Sequence, residues 1–192
     1  MRIRYLITDP KHYPDSVSRF AVHLKRNALR GGATHLLYRD KTGSFSLRKA
    51  LALKRVAENI GAVSVLSADP KRAKRFGFDA VHLTSRQFGL IKSVKNGSLG
   101  CIVSCHTPKE VKRAFRLGAD MVTFSPIFET PGKGAPKGIK SLRRVVLGSS
   151  KGVIALGGIV SRSHIEQIFK TRAIGFASIR YFVSTKRRFR KD

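Results

Sequence analysis

Eight short apolar runs, with basic segments of helical spacing between them, constrain this chain more than any other feature. They read IRYLITD, THLLYRDK, VSVLSAD, DAVHLTS, GCIVSCHT, DMVTFSPIF, GVIALGGI and IGFASI, and each reads as a strand. Seven segments lie between them, among them SVSRFAVHLKRNALRGG and PKEVKRAFRLGAD. Their apolar residues recur at helical intervals, and several close on a Gly, where a helix C-cap takes a left-handed residue. Strand and helix alternate throughout, which argues for a parallel sheet. A single unbroken series of eight units argues for closure into a (β/α)8 TIM barrel rather than an open doubly wound sheet. No G-x-G-x-x-G follows the first run. At 192 residues the chain sits near the lower end of the usual barrel range of roughly 200 to 400, so its loops must be short. The expectation is a barrel domain over residues 1–183 and a basic tail over 184–192.

Composition adds bounds. With 42% hydrophobic residues the chain can bury a sizeable core, and no apolar run approaches the ~20 residues of a bilayer span. MRIRYLITD enters a strand at once, without the apolar stretch and cleavage site of a signal peptide, so no membrane association and a cytoplasmic location are expected. The two cysteines are Cys101 and Cys105. Four residues apart on one strand, their Cα atoms would lie roughly 13 Å from each other, against less than ~7 Å for a disulfide. Both are therefore read as reduced thiols.

The charge is extreme, with 39 Lys and Arg against 11 Asp and Glu and a formal net charge of +28. Such a surface binds polyanions in dilute salt without sequence preference. The basic residues are spread over nearly every helical segment, which is the pattern of solvated helix faces; dedicated RNA binding is the alternative. The one local cluster is TKRRFRKD at the end of the chain, a phosphate-binding segment or merely a solvated tail.

In a barrel, reacting groups come from the C-terminal ends of the strands and the loops that follow. Read at those positions, the rim is cationic and rich in hydroxyls. Arg39 and Lys41 follow the second run, two residues apart on one face. They are either a clamp for a diphosphate, with a guanidinium fork plus a point charge, or two solvated charges. Ser67, Ala68 and Asp69 follow the third run, and His82, Thr84, Ser85 and Gln87 end the fourth. His82, inside VHL, reads as a structural histidine. Ser104 and His106 share a face at the end of the fifth run, but no orienting carboxylate is visible near them in the sequence, which argues against a hydrolase dyad. Hydrogen bonding to a heterocycle suits Ser104, and packing or helix capping suits His106. Thr130 and Lys133, in ETPGKGAPKG, are phosphate donors or part of a solvated loop, and Lys137 is a weaker candidate. Gly157 and Gly158 end the seventh run, where barrels often hold a phosphate, although a Gly pair also serves as an ordinary turn.

YLITD, the R-x-K of YRDK, DAVHL, VSCHT followed by a helix and GAD, SPIFET with Lys133, and IALGGI occur in this order from about Tyr5 to Ile179. Together they resemble the thiamine-phosphate synthase and thiazole tautomerase superfamily. The resemblance implies that hydroxymethylpyrimidine diphosphate ionises to a pyrimidine cation, which the nitrogen of a thiazole phosphate captures, with release of diphosphate. It further implies Arg39 and Lys41 on the diphosphate, Ser104 near the pyrimidine, and Thr130 with Lys133 on the phosphates. Gly158 and the amide of Ile179 would hold the thiazole phosphate. Ser67 and Ala68 fall where the synthases carry an Asn-Asp pair, and Gln87 falls on a second metal-binding Asp. Both carboxylates expected for Mg2+ are thus absent, leaving Asp69 as the one weak substitute. Arg180 stands at a position that usually carries a small hydroxyl residue, and Gly132 replaces a second loop Thr. Pro126 stands where the tautomerase branch has its catalytic His, which favours the synthase branch.

The leading expectation is a transferase making thiamine phosphate, with Arg39, Lys41 and Arg180 neutralising charge in place of the metal. The alternatives are a barrel that only binds thiamine phosphate or a related phosphate ester, a thiazole-tautomerase-like enzyme, and a polyanion-binding protein. A homodimer is the assembly that the resemblance suggests.

Overall fold

A computed structural model describes residues 2–40 and 42–184. The strands are β1 (Ile3–Ile7), β2 (His35–Tyr38), β3 (Val63–Ser67), β4 (Ala80–Leu83), β5 (Gly100–Cys105), β6 (Met121–Phe124), β7 (Gly152–Leu156) and β8 (Gly175–Ser178). The helices are α1 (Val17–Gly31), α2 (Leu47–Asn59), α3 (Pro70–Arg75), α4 (Ile91–Asn96), α5 (Pro108–Arg116), α6 (Gly138–Leu147), α7 (Arg162–Phe169) and α8 (Arg180–Val183). Single 3-10 turns, Pro10–His12 and Phe88–Leu90, precede α1 and α4. Each strand pairs in parallel with the next, and β8 returns to β1, so the sheet is a closed (β/α)8 barrel. All eight apolar runs of the sequence form these strands.

The side-chain period of two divides each strand between two cores. Tyr5, Ile7, Leu37, Val65, Ala80, Ile102, Ile154 and Ala177 fill the barrel interior. Leu6, Leu36, Tyr38, Leu66, Val81, Leu83, Val103, Val122, Phe124, Val153 and Phe176 point outward, under the helices. Cys101 and Cys105 belong to this outer layer, and both are buried free thiols, as expected from the sequence.

Local sequence sets the helix ends. Thr107 and Glu110 form a capping box at α5, Asp69 caps α3 with Pro70 after it, and Gly32 closes α1 at φ 59°. Among the described residues no helix is long and apolar enough to cross a membrane. Lys41 and the tail from Thr185 onward, both singled out by the sequence, lie outside the described residues.

Candidate active site

The alternation that fills the interior also aims the rim. Two residues beyond each inward Leu37, Val65, Ile102, Met121, Leu156 and Ala177 come Arg39, Ser67, Ser104, Thr123, Gly158 and Ile179. These therefore share the inward parity at or near the C-terminal mouth, where barrel sites form.

Arg39 is fixed from β1. Its backbone N–H donates to Thr8 Oγ1 at 3.0 Å, and Thr8 Oγ1 in turn donates to the Leu37 carbonyl at 3.1 Å. Its guanidinium lies 3.9 Å from the Asp9 carboxylate, with 28% of the side chain exposed. Burial lowers the Arg39 pKa and Asp9 raises it, and the group stays a cation. Thr8 was not read from the sequence as a site residue, since a lone Thr at a strand end carries no signal of its partner.

Below the mouth sits a polar chain inside the barrel. His82 Nδ1 meets the Tyr5 hydroxyl at 3.1 Å, while Nε2 meets Ser104 Oγ at 3.0 Å and Thr123 Oγ1 at 3.4 Å. Burial first, and then the nearby Arg39 charge, lower the His82 pKa to about 4, so the ring is neutral at physiological pH. A neutral imidazole has one donor and one acceptor, and it holds the Ser104 hydroxyl in a set orientation. His82 is thus the structural histidine expected, with the added effect of orienting Ser104.

This burial has a pH consequence. An unfolded histidine binds its proton near pH 6.5, whereas folded His82 does so only near 4, so between those values the unfolded state holds more protons. Burial also lowers the pKa of His35, against a weaker opposing effect of Asp79, and acts in the same sense. Stability is expected to be unaffected by His82 above about pH 7 and to fall as pH drops through that window, by on the order of 1 kcal/mol per pH unit. Urea midpoints of the wild type and His82→Gln at pH 7.0 and 5.0 check this: the variant should show the smaller drop, and equal drops would contradict it.

His106 joins the ends of β5 and β6 by contacts from Nδ1 to the Ser125 carbonyl at 3.1 Å and to Ser125 Oγ at 3.3 Å. It packs, as expected, but the α5 cap belongs to Thr107.

On the far side of the mouth, two loops meet. Phe128 N–H donates to the Gly157 carbonyl at 3.1 Å, and Thr130 Oγ1 donates to the Phe128 carbonyl at 2.9 Å. A Cβ added to Gly157 would lie 3.3 Å from Thr130 Oγ1, so the structure brings these two candidates together. Gly157 and Gly158 adopt φ of 99° and 69°. Lys133 and Arg180 are exposed, Lys137 lies with Nζ 5.7 Å from the Phe124 ring centre, and Ile179 is half-buried ahead of α8.

The positions where the resemblance places magnesium carboxylates are joined to each other. Gln87 Nε2 donates to the Ala68 carbonyl at 2.8 Å, and Gln87 Oε1 accepts from Thr84 N–H at 3.0 Å and Thr84 Oγ1 at 3.1 Å. Ala68 holds φ 62°, an unfavourable region for a side chain. The Asp69 carboxylate is turned to α3, where it accepts from Arg72 N–H at 2.9 Å and lies 3.4 Å from Arg72 Nε. Among the described residues no group of three His, Cys, Asp or Glu side chains could hold an ion. A neutral amide bridge does not fit magnesium, and the substitute carboxylate is occupied as a cap.

A family model described as thiamine monophosphate synthase matches residues 4–182. The chain belongs to this family. The thiamine-phosphate synthase of Alcanivorax borkumensis is 31% identical over 183 residues, covering 91% of this chain and 82% of that one. That of Saccharophagus degradans is 34% identical over 163 residues, covering 81% and 74%. A thiamine phosphate pyrophosphorylase from Pyrococcus furiosus superposes with a TM-score of 0.76 at 25% identity, over 91% of this chain and 84% of that structure. The fold extends beyond the synthase family: an N-acetylmannosamine-6-phosphate 2-epimerase from Clostridium perfringens superposes with a TM-score of 0.73 at 12% identity, covering 93% of this chain and 86% of that one.

Proposed function

We propose that this chain joins hydroxymethylpyrimidine diphosphate to thiazole phosphate, making thiamine phosphate and diphosphate, and that it does so without a bound metal ion. The observation that supports the reading is one mouth with two unlike sides, a half-buried guanidinium at Arg39 and a glycine turn that meets Thr130. A reaction with one diphosphate and one monophosphate substrate needs such a pair.

The carbon–oxygen bond to the diphosphate breaks, and its electron pair leaves with the diphosphate. The thiazole nitrogen lone pair then forms the new bond to the pyrimidine methylene carbon. Negative charge grows on the leaving group, and Arg39 stabilises it; the resemblance assigns Lys41 the same role. Ser104, oriented by His82, hydrogen-bonds the pyrimidine. Lys133 and the amides of Gly158 and Ile179 hold the thiazole phosphate, Thr130 joins them once its hydroxyl turns from the Phe128 carbonyl, and Arg180 adds a cation beside it. The amide bridge from Gln87 to Ala68 is the observation against magnesium. A cytoplasmic setting fits the two free cysteines. A homodimer rests on the resemblance alone, and the charge of +28 gives non-specific polyanion binding in dilute salt.

Incubation of both substrates should release diphosphate and thiamine phosphate in equal amounts, and neither substrate alone should release any. Absence of product with saturable binding of thiamine phosphate would replace this reading by the ligand-binding one, which the same amide bridge favours.

A further inference from the structure

His164 stands near the start of α7, outside every motif of the sequence. Its ring lies flat on Phe128, with centroids 4.0 Å apart and planes 10° from parallel. His164 Nδ1 lies 3.1 Å from the Gly158 carbonyl. A carbonyl only accepts, so Nδ1 carries the proton and donates. The contact from Val160 N–H to the same nitrogen, at 3.5 Å, is then not a hydrogen bond.

This bond is one of three in a row. The Gly157 carbonyl accepts from Phe128 N–H at 3.1 Å, the Gly158 carbonyl from His164, and the Ile159 carbonyl from Ser178 Oγ at 2.7 Å. Three successive carbonyls are thereby turned back into the fold by β6, α7 and β8 neighbours. The amide N–H groups of Gly158 and Ile159 find no acceptor among the described residues. Successive free N–H groups in a left-handed turn form an anion-binding concavity.

The middle peptide is the weak point. The Gly158 carbonyl and the Ile159 N–H belong to one planar unit, and a glycine beside it permits that unit to rotate. Rotation would replace a donor with a carbonyl oxygen, which repels an anion. We propose that His164 is a positioning residue: by holding the Gly158 carbonyl, and by stacking on Phe128, it keeps the Ile159 N–H aimed into the mouth for a phosphate. The proposal rests on the reading that this turn receives a phosphate.

The test is a titration with inorganic phosphate, followed by the backbone amide NMR signals of Gly158 and Ile159, in the wild type, His164→Ala and His164→Phe. His164→Phe keeps a ring on Phe128 but has no donor. Wild-type signals should move saturably, and both variants should bind phosphate roughly three- to tenfold more weakly, as loss of one hydrogen bond dictates. His164→Phe should lower the thermal midpoint by no more than the few degrees that one hydrogen bond contributes, and its weaker binding should persist far below that midpoint, which a loss of folding alone would not produce. In turnover, KM for the thiazole phosphate should rise while KM for the pyrimidine diphosphate stays constant. Wild-type binding with unchanged affinity in His164→Phe would overturn the positioning role while leaving the phosphate site standing. No phosphate-dependent shift in the wild type would remove that site, and the positioning role with it.

Discussion

Gly158→Ala is expected to destabilise the barrel by about 2–5 kcal/mol and to remove thiazole phosphate binding. Gly158 has φ 69°, where a Cβ costs roughly 1–2 kcal/mol. That Cβ would also lie 2.4 Å from the Glu129 carbonyl oxygen and 2.6 Å from the Phe128 carbonyl carbon. Both are backbone atoms of the facing loop, so relief requires the two loops to part, and the turn that presents the amides parts with them. Gly132→Ala separates the two causes. Gly132 has φ 68° but nothing within 4 Å of an added Cβ, so it should lose only the conformational part. Urea midpoints and calorimetric binding of thiazole phosphate measure both; equal losses in the two variants, or full binding by Gly158→Ala, would contradict the close approach as the reason for glycine.

Arg39→Ala is expected to lower kcat/KM by about 10²–10³, the cost of removing one preorganised donor from developing negative charge. Its effect on stability should be small, because the 3.9 Å contact with Asp9 is loose and partly exposed, and such pairs contribute under about 1 kcal/mol. Arg39→Lys should recover only part of the rate, since an ammonium lacks the planar fork that engages two oxygens of a diphosphate. The signature is a large kinetic loss with a nearly unchanged urea midpoint. A loss below about threefold would remove Arg39 from the charge-stabilising role.

The barrel was legible because period-two strands and period-3.6 helices leave separate marks, and because eight strands with seven helical segments between them in one series have one natural closure. The rim was legible for the same reason: parity along a strand that fills the interior with Leu37 and Ile102 also places Arg39 and Ser104 at the mouth. The pairing of Thr130 with Gly157 was reachable only in part. The sequence gives the two loops as neighbours, from β6 and β7, but not the approach that the glycine permits. Other features had no local mark. The Gln87 side chain bridges to Ala68 across two βα loops, and nothing in either residue announces the bond. His164 meets Phe128 from a helix far along the chain, and a histidine on an amphipathic helix looks the same whether it holds a carbonyl or faces solvent. Asp69 looked available as a ligand because a carboxylate after a strand is also what an N-cap needs, and here the cap claims it.

The most direct measurement is thiamine phosphate formation from hydroxymethylpyrimidine diphosphate and thiazole phosphate, with saturating magnesium and then with excess chelator. With the amide bridge in the metal's place and Arg39 at the mouth, product should form at similar rates in both conditions. Turnover that disappears with chelator would contradict metal-free departure of the diphosphate, and no product in either condition would contradict the synthase reading itself.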